Sequence, residues 1–278
     1  MDITALYLVA TPIGNLSDIS KRCIETLRSV DFIACEDTRN TSKLLNHLKI
    51  NKPLISYFEH NKRQRGQEIL KHIKDGKTCA LVTDAGMPGI SDPGEDLVKL
   101  MYENGYKVSV IPGPCAFISA LVISGMDSSR FVFEGFLSTN KKNRQESLGR
   151  LKDYTQTVIL YEAPHKLKAT LQDILQVFGN RQIALVREIT KIYEQVQRSS
   201  IKELIDYFSD KSPRGEYVLI IEGNKHPYDG EHFWDKLDVK AHVEYYINCG
   251  LDKKQAIKQA AQDRKIPKST IYNIVMKK

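Results

Sequence analysis

Cysteine is scarce and poorly placed for cross-linking: Cys23, Cys35, Cys79, Cys115 and Cys249 are odd in number, widely spaced and without a CxxC pair. That argues against a disulfide framework and a thiolate metal site, so the thiols are expected to be reduced and mostly buried. A basic leader is missing from the opening MDITALYLVATPIGNL, whose apolar run is far too short to span a bilayer. The expectation is a cytoplasmic protein with no membrane partner. Four familiar site signatures are absent too: no GxGxxG follows the first strand-like run, and GxxxxGK(S/T), HExxH and GxSxG do not occur. Dinucleotide oxidoreductases, P-loop nucleotidases, zinc peptidases and α/β-hydrolases lose weight accordingly.

What is present suits an ordinary globular chain. Its 278 residues are enough for two compact units and a small third one, and 41% hydrophobic with 27% charged residues leaves no compositional case for disorder. The net charge of +7 is unevenly spread, with ten Lys or Arg against four Asp or Glu over residues 236–278. A basic appendage on a nearly neutral body favours a polyanionic partner, nucleic acid before membrane, although a merely solubilising surface has the same composition.

Strand-like runs recur, each followed by a loop rich in glycine, proline or acids: LYLVATPIGN (6–15), DFIACEDTR (31–39), TCALVTDAG (78–86) and KVSVIPGP (107–114). Between them SDISKRCIETLRSV sets Ile19, Cys23, Ile24 and Leu27 on one stripe behind a Ser17 cap, and GEDLVKLMYENG repeats the pattern. The alternation predicts an α/β unit with a largely parallel sheet, whose loops from Thr11, Cys35, Thr83 and Ile111 converge at the carboxyl ends of the strands. After the helix CAFISALVISG, a second α/β unit holds TVILYEAPH, QIALVREITK and GEYVLIIEG, separated by KLKATLQDILQVFG and SIKELIDYFSD. NKHPYDGEHF reads as a linker. Beyond it Ala256, Ile257, Ala260 and Ala261 form one apolar stripe, then a turn at Lys265 and Ile266 leads to a helix with Ile271, Ile274 and Val275. This reads as a helix-turn-helix or as a plain helical hairpin. The expected domains are 1–118, 119–225 and 226–278.

Rigid loops carry the candidate chemistry. In ATPIGNL, Pro12 stiffens and Gly14 lets the backbone turn sharply. TDAGMPGISDPG adds three glycines and two acids, with Asp84 a strand-end acceptor and Asp92 expected to cap the next helix. IPGPCA brings Gly113 and Pro114 to a helix start whose free N–H groups can bind a carboxylate. CEDTRNT supplies Glu36, Asp37 and Arg39, either as chemistry or as local ion pairs. The second unit offers Glu162, His165, Arg187, Glu188, Lys191 and Glu194, with the acids and Lys191 ahead of His165.

In this order TPIGNL, CEDTR, TDAGMPGISDPG, IPGPCA, YEAPH and REITK closely resemble the tetrapyrrole methylase superfamily, over roughly residues 5–223. Within it they look like the branch that methylates the 2′-hydroxyl of a cytidine in the decoding region of 16S ribosomal RNA, and the basic tail resembles that branch's C-terminal extension. The resemblance implies two α/β domains with a cleft for S-adenosylmethionine between them, a small C-terminal helical domain, a homodimer, and 16S RNA or the small ribosomal subunit as partner. Carried over by motif, cofactor contacts fall on Pro12, Gly14, Asp84, Met87, Pro88, Cys115, Ala116, Tyr161 and Ala163. After EGF the related enzymes continue with proline and paired basic residues, whereas LSTNKKNR delays the charges to Lys141, Lys142 and Arg144.

A ribose hydroxyl must be aligned with the methyl group and must lose its proton as it attacks. A carboxylate among Glu36, Asp37 and Glu188 is expected to accept it, with Arg39 or Lys191 supplying positive charge; no metal is implied. Two other readings stand beside this one. A methylase of porphyrin or corrin intermediates shares the fold but has no use for a basic helical tail. A ligand-sensing nucleic-acid-binding regulator would not need ionisable clusters at several strand ends.

Overall fold

The computed structural model describes residues 4–225, 234–264 and 266–276. The chain divides into two compact units, Met1–Lys225 and His226–Lys278. In the larger unit, β1 (Leu6–Val9), β2 (Phe32–Cys35), β3 (Leu54–Ser56), β4 (Cys79–Val82) and β5 (Val108–Ile111) make an all-parallel sheet. Their order is β3-β2-β4-β1-β5. The crossovers are α1 (Lys21–Ser29), α2 (Thr38–His47), α3 (Lys62–Lys74) and α4 (Glu95–Glu103).

Side chains alternate across a strand, so each face needs its own cover. Leu6, Ala34, Cys79 and Leu81 pack with Ile69 of α3 and with Leu97 and Met101 of α4. Val9, Ile33, Ala80 and Val82 pack with Cys23 and Leu27 of α1 and Leu45 of α2. Burial on both sides explains why FIAC and CALV read as unbroken apolar runs.

The second sheet is mixed. Its strands are β6 (Phe131–Phe136), β7 (Thr157–Glu162), β8 (Gln182–Arg187), β9 (Gln195–Ser200) and β10 (Tyr217–Ile221), in the order β6-β7-β10-β8-β9. Only β6 and β7 run parallel; β10 is antiparallel to both β7 and β8, and β9 to β8. One face packs on α5 (Ala116–Ser124) through Phe117, Ala120 and Leu121. The other packs on α6 (Lys141–Leu151), α7 (Pro164–Phe178) and α8 (Ile201–Tyr207). The residue pair 118/119 therefore lies inside α5, which belongs by its packing with the second sheet.

Three local readings change. Ser20, not Ser17, caps α1, its hydroxyl accepting from the Cys23 amide; Asn15 takes the Ser17 amide and folds Leu16–Asp18 into a 3₁₀ turn instead. Helix α4 begins at Glu95 behind Gly94 with no side-chain cap, so Asp92 does not cap it. Arg144 is buried rather than presented to solvent. Its guanidinium meets Asp173 of α7 at 2.7 and 2.6 Å and donates to the carbonyls of Ser138 and Thr139.

Among the described residues the smaller unit has three helices, α9 (Val239–Asn248), α10 (Lys253–Asp263) and α11 (Lys268–Met276). The apolar stripe of α10 and Ile271 of α11 close their core on Val243 of α9, a helix without a clear signal in the sequence. His242 is fully buried, its ring stacked on Trp234 at 5.0 Å, with Nδ1 accepting from Arg264 Nε at 3.0 Å. Burial, reinforced by that guanidinium, lowers its pKa. Arg264 is thus spent inside, whereas Lys253, Lys254, Lys258 and Lys268 stay exposed. Most of the linker, 226–233, and Lys265 of the expected turn lie outside the described residues.

Candidate active site

The loops after β1 and β4 are knitted together by backbone. Thr11 and Gly86 exchange amide hydrogen bonds of 2.9 and 3.1 Å, and the Thr11 hydroxyl donates to the Thr83 carbonyl at 3.1 Å. The loop after β4 then folds on itself so tightly that a Cβ at Gly94 would lie 2.9 Å from the Gly89 Cα. Only glycine allows that approach. The glycines of TDAGMPGISDPG thus shape a wall.

That wall borders a cavity of about 450 Å³, a size suited to a small-molecule ligand. From the first sheet's loops come Ile13, Asp84, Met87 and Asp92, and from the start of α5 Cys115 and Ala116. Tyr161 and Ala163 at the end of β7, and Val186, Glu188 and Lys191 around the end of β8, close the other side. Six of the nine residues expected to contact the cofactor line this cavity: Asp84, Met87, Cys115, Ala116, Tyr161 and Ala163. Pro12, half-buried, and Pro88, buried, do not line it, and Gly14 is exposed beneath the Lys191 side-chain stem, which leaves no room for a Cβ.

Among the proposed acid–base residues, Glu188 and Lys191 line the cavity and form one network. Lys191 Nζ lies 3.2 Å from Glu188 Oε1 and 2.9 Å from Glu216 Oε2, and the Glu216 amide donates to Glu188 Oε1 at 3.0 Å. Burial would raise the Glu188 pKa, but the Glu216 amide and the Lys191 ammonium outweigh it and hold the carboxyl below its usual value. Glu188 and Thr190 have φ of 51° and 64°, a left-handed backbone that side chains resist. The turn persists because Lys191 N donates to Glu188 O and Thr190 N to Glu194 Oε2. Strain held this way clusters at functional sites.

The residues after β2 sit apart from this pair. Asp37 caps α2 and grips Arg39 at 2.7 Å, and the Arg39 side chain and amide pull its pKa down to about 2. Glu36 accepts from the Thr83 hydroxyl at 3.4 Å, and Asn40 donates to Asp84 at 2.8 Å. Burial raises the pKa of Glu36, and the carboxylates of Asp92 and Asp84 add to the rise. Burial likewise raises Asp92, against the Thr83 hydrogen bond. An acidic group beside the cavity thus replaces the cap expected of Asp92.

Glu162 is structural: it is buried, accepts from Thr170 Oγ1 at 2.5 Å and the Ala163 amide at 2.8 Å, and meets Lys166 at 3.2 Å. His165 is exposed. In the sequence Thr83 stands out only as the start of a loop and Glu216 not at all; neither is named there as a site residue. Thr83 ends the CALV run and could have been found as a buried polar residue at a strand end; Glu216 has no signal beyond its position before YVLII.

Cavity and residues fit S-adenosylmethionine on three counts. Ile13, Met87, Val186 and Val218 offer apolar surface. Cys115 precedes α5 without a side-chain cap, leaving the Ala116 amide, in the cavity lining, for a carboxylate. The Tyr161 hydroxyl, accepting from Phe117 N at 3.2 Å, pins that helix start to β7.

A family model of the tetrapyrrole (corrin/porphyrin) methylases matches residues 5–205. The ribosomal RNA small subunit methyltransferase I of Halalkalibacterium halodurans is 47% identical over 98% of this chain and 95% of its own length. The protein of that name from Bacillus subtilis is also 47% identical, over 98% and 94%. Among solved structures, uroporphyrin-III-C-methyltransferase from Thermus thermophilus aligns with a TM-score of 0.57 at 15% identity, covering 78% of this chain and 94% of that one. A cobalt precorrin-4 methyltransferase aligns at 0.60 and 16%, with the same coverage. At that identity the two structures speak to the fold alone, in which two α/β sheets and added C-terminal helices agree with the architecture expected from the sequence. By the matched family model and by near full-length relatives at 47% identity, the chain belongs to the tetrapyrrole (corrin/porphyrin) methylase family.

Proposed function

We propose that the protein is an S-adenosylmethionine-dependent methyltransferase acting on 16S ribosomal RNA in the small subunit, methylating the 2′-hydroxyl of a cytidine in the decoding region. The observation that carries this is the near full-length identity to relatives named for the small-subunit RNA, with an ionised carboxylate and an ammonium in the wall of a ligand-sized cavity. The cofactor would supply a methyl group on a sulfonium, already an excellent leaving group. The chain's own task is then alignment and proton removal. The apolar wall excludes water, and the Ala116 amide at the start of α5 takes a carboxylate. Glu188, ionised at neutral pH, accepts the ribose proton more readily than Asp37, which is committed to Arg39 and its helix; Glu36 is the other candidate. Lys191 supplies positive charge where the alkoxide develops.

The described residues contain no helix long and apolar enough to cross a membrane, in keeping with a cytoplasmic enzyme. The reading includes a homodimer, favoured by exposed Val110 on the β5 edge and by Ile118, Val122 and Ile123 on α5. Sedimentation giving only monomer at micromolar concentration would remove that part. The exposed lysines of the smaller unit favour RNA as its partner.

The test is single-turnover transfer of labelled methyl to small ribosomal subunits and to naked 16S RNA, with ribose mapping of the product. Lys191→Met and Glu188→Gln should slow the step by about 10²–10³-fold. Full activity in both would refute these roles, and transfer to a tetrapyrrole in place of RNA would overturn the substrate.

A further inference from the structure

Residues 187 and 188 are neighbours in sequence but point to opposite faces of the second sheet. Val186 and Glu188 face the cavity described above, while Leu185 and Arg187 face a second hollow of about 370 Å³. The register explains what surrounds Arg187: Gln195 of β9 lies opposite it and Gln197 opposite Leu185, so both amides share its face. The segment after α8 adds Lys211, Ser212 and Arg214, above a floor formed by Tyr207, Phe208 and Tyr217.

Three cations and five neutral hydrogen-bonding side chains, two of them tyrosines, line this hollow, and no carboxylate does. None of the three cations has an acidic partner within ion-pair distance among the described residues. Lys211 Nζ instead sits 3.7 Å from the Tyr207 ring centroid, and the Arg214 amide donates to the Tyr217 hydroxyl at 3.1 Å. The Nε of Arg187 is buried without a hydrogen-bond partner among the described residues. Folded proteins rarely leave a charged donor so placed, because burial without a partner is costly. The donor is left for an acceptor that is not among the described residues. A guanidinium fork beside a lysine, two amides and a hydroxyl matches the oxygens of a phosphate group.

We infer that this hollow is a phosphate site, and that in the working enzyme it holds a phosphodiester of the RNA strand, on the face of β8 opposite the methyl-transfer cavity. The assignment to RNA rests on the function proposed above; the phosphate chemistry does not.

Two variants test it: Arg187→Met, and the exposed pair Lys211→Met with Arg214→Met, which carries little risk of misfolding. Binding to small ribosomal subunits is measured across a salt series, with calorimetry of S-adenosylmethionine as control for the other cavity. The paired variant should bind about tenfold more weakly and lower the slope of log affinity against log salt by about one to two units. Cofactor affinity should not change. Wild-type affinity and slope in both variants would overturn the site while leaving the RNA reading standing. If the wild-type protein binds no RNA, the RNA reading fails, and titration with inorganic phosphate decides for the hollow. Phosphate binding that Arg187→Met abolishes upholds it, and no phosphate binding rejects it.

Discussion

The two sheets of the body border one cavity with different materials. The first contributes mainly loop backbone: bonds between Thr11 and Gly86, and the contact of Gly89 with Gly94. The second contributes charge, in the network of Glu188, Lys191 and Glu216. The difference follows from topology. Parallel strands end together at one edge, so short glycine-rich loops suffice to build a wall there. In the mixed sheet, antiparallel β8 and β10 bring residues distant in sequence side by side, and Glu216 reaches Glu188 and Lys191, which share one turn after β8, across that register. One half positions by shape and the other by electrostatics.

If so, the halves should fail differently. The largest loss is expected from the second half, where Arg144 and Asp173 are buried together and bind α6 to α7. Asp173→Ala strands the guanidinium, which should cost about 3–5 kcal/mol in urea unfolding. A loss under about 1 kcal/mol would mean that water reaches the pair. Next comes Gly94→Ala in the first half, where the new methyl meets the Gly89 backbone rather than a flexible side chain. Overpacking of this kind costs about 1–3 kcal/mol. Because the loop itself is displaced, cofactor affinity should fall by roughly tenfold by calorimetry. Unchanged affinity with lowered stability would separate the loop's structural role from ligand binding.

The same division explains what could be read in the sequence. Gly and Pro punctuate TPIGNL and TDAGMPGISDPG because backbone geometry demands them, so the first half's loops were visible as motifs. FIAC and CALV were visible because both faces are buried. The second half hides more: β9, QVQRSS, is a polar edge strand with no apolar alternation, and Glu216 matters only through its spatial neighbour Lys191. Arg144 reads as surface charge until Asp173, 29 residues away, appears beside it. Asp92 misled in the other direction. An acid followed by PGEDL has the composition of a cap, but Gly94 takes that place and leaves the carboxyl beside the cavity.

Asp92 gives the smallest effect and the finest test of the contrast, because it brings charge into the half built from backbone. Burial raises its pKa in the fold above the ordinary aspartate value of 3.8, and the Asp84 carboxylate adds to the rise. A carboxyl whose pKa rises on folding favours the folded state when protonated. That stability is fully present below the unfolded-state pKa and is lost as pH rises through the folded-state pKa. Asp92→Asn keeps an acceptor for Thr83 and removes the charge, so it should raise the melting midpoint at pH 7.5 by on the order of 1–2 °C. The gain should shrink toward pH 5, where wild type carries more of the proton itself. Neighbouring Glu36 should show the coupling, since the Asp92 charge also raises its pKa: in the Asp92→Asn background its carboxyl should titrate lower by carbon-detected NMR. A variant less stable than wild type at pH 7.5 would show that the Asp92 carboxylate is held by stronger partners than Thr83, making this corner of the first half an electrostatic element as well.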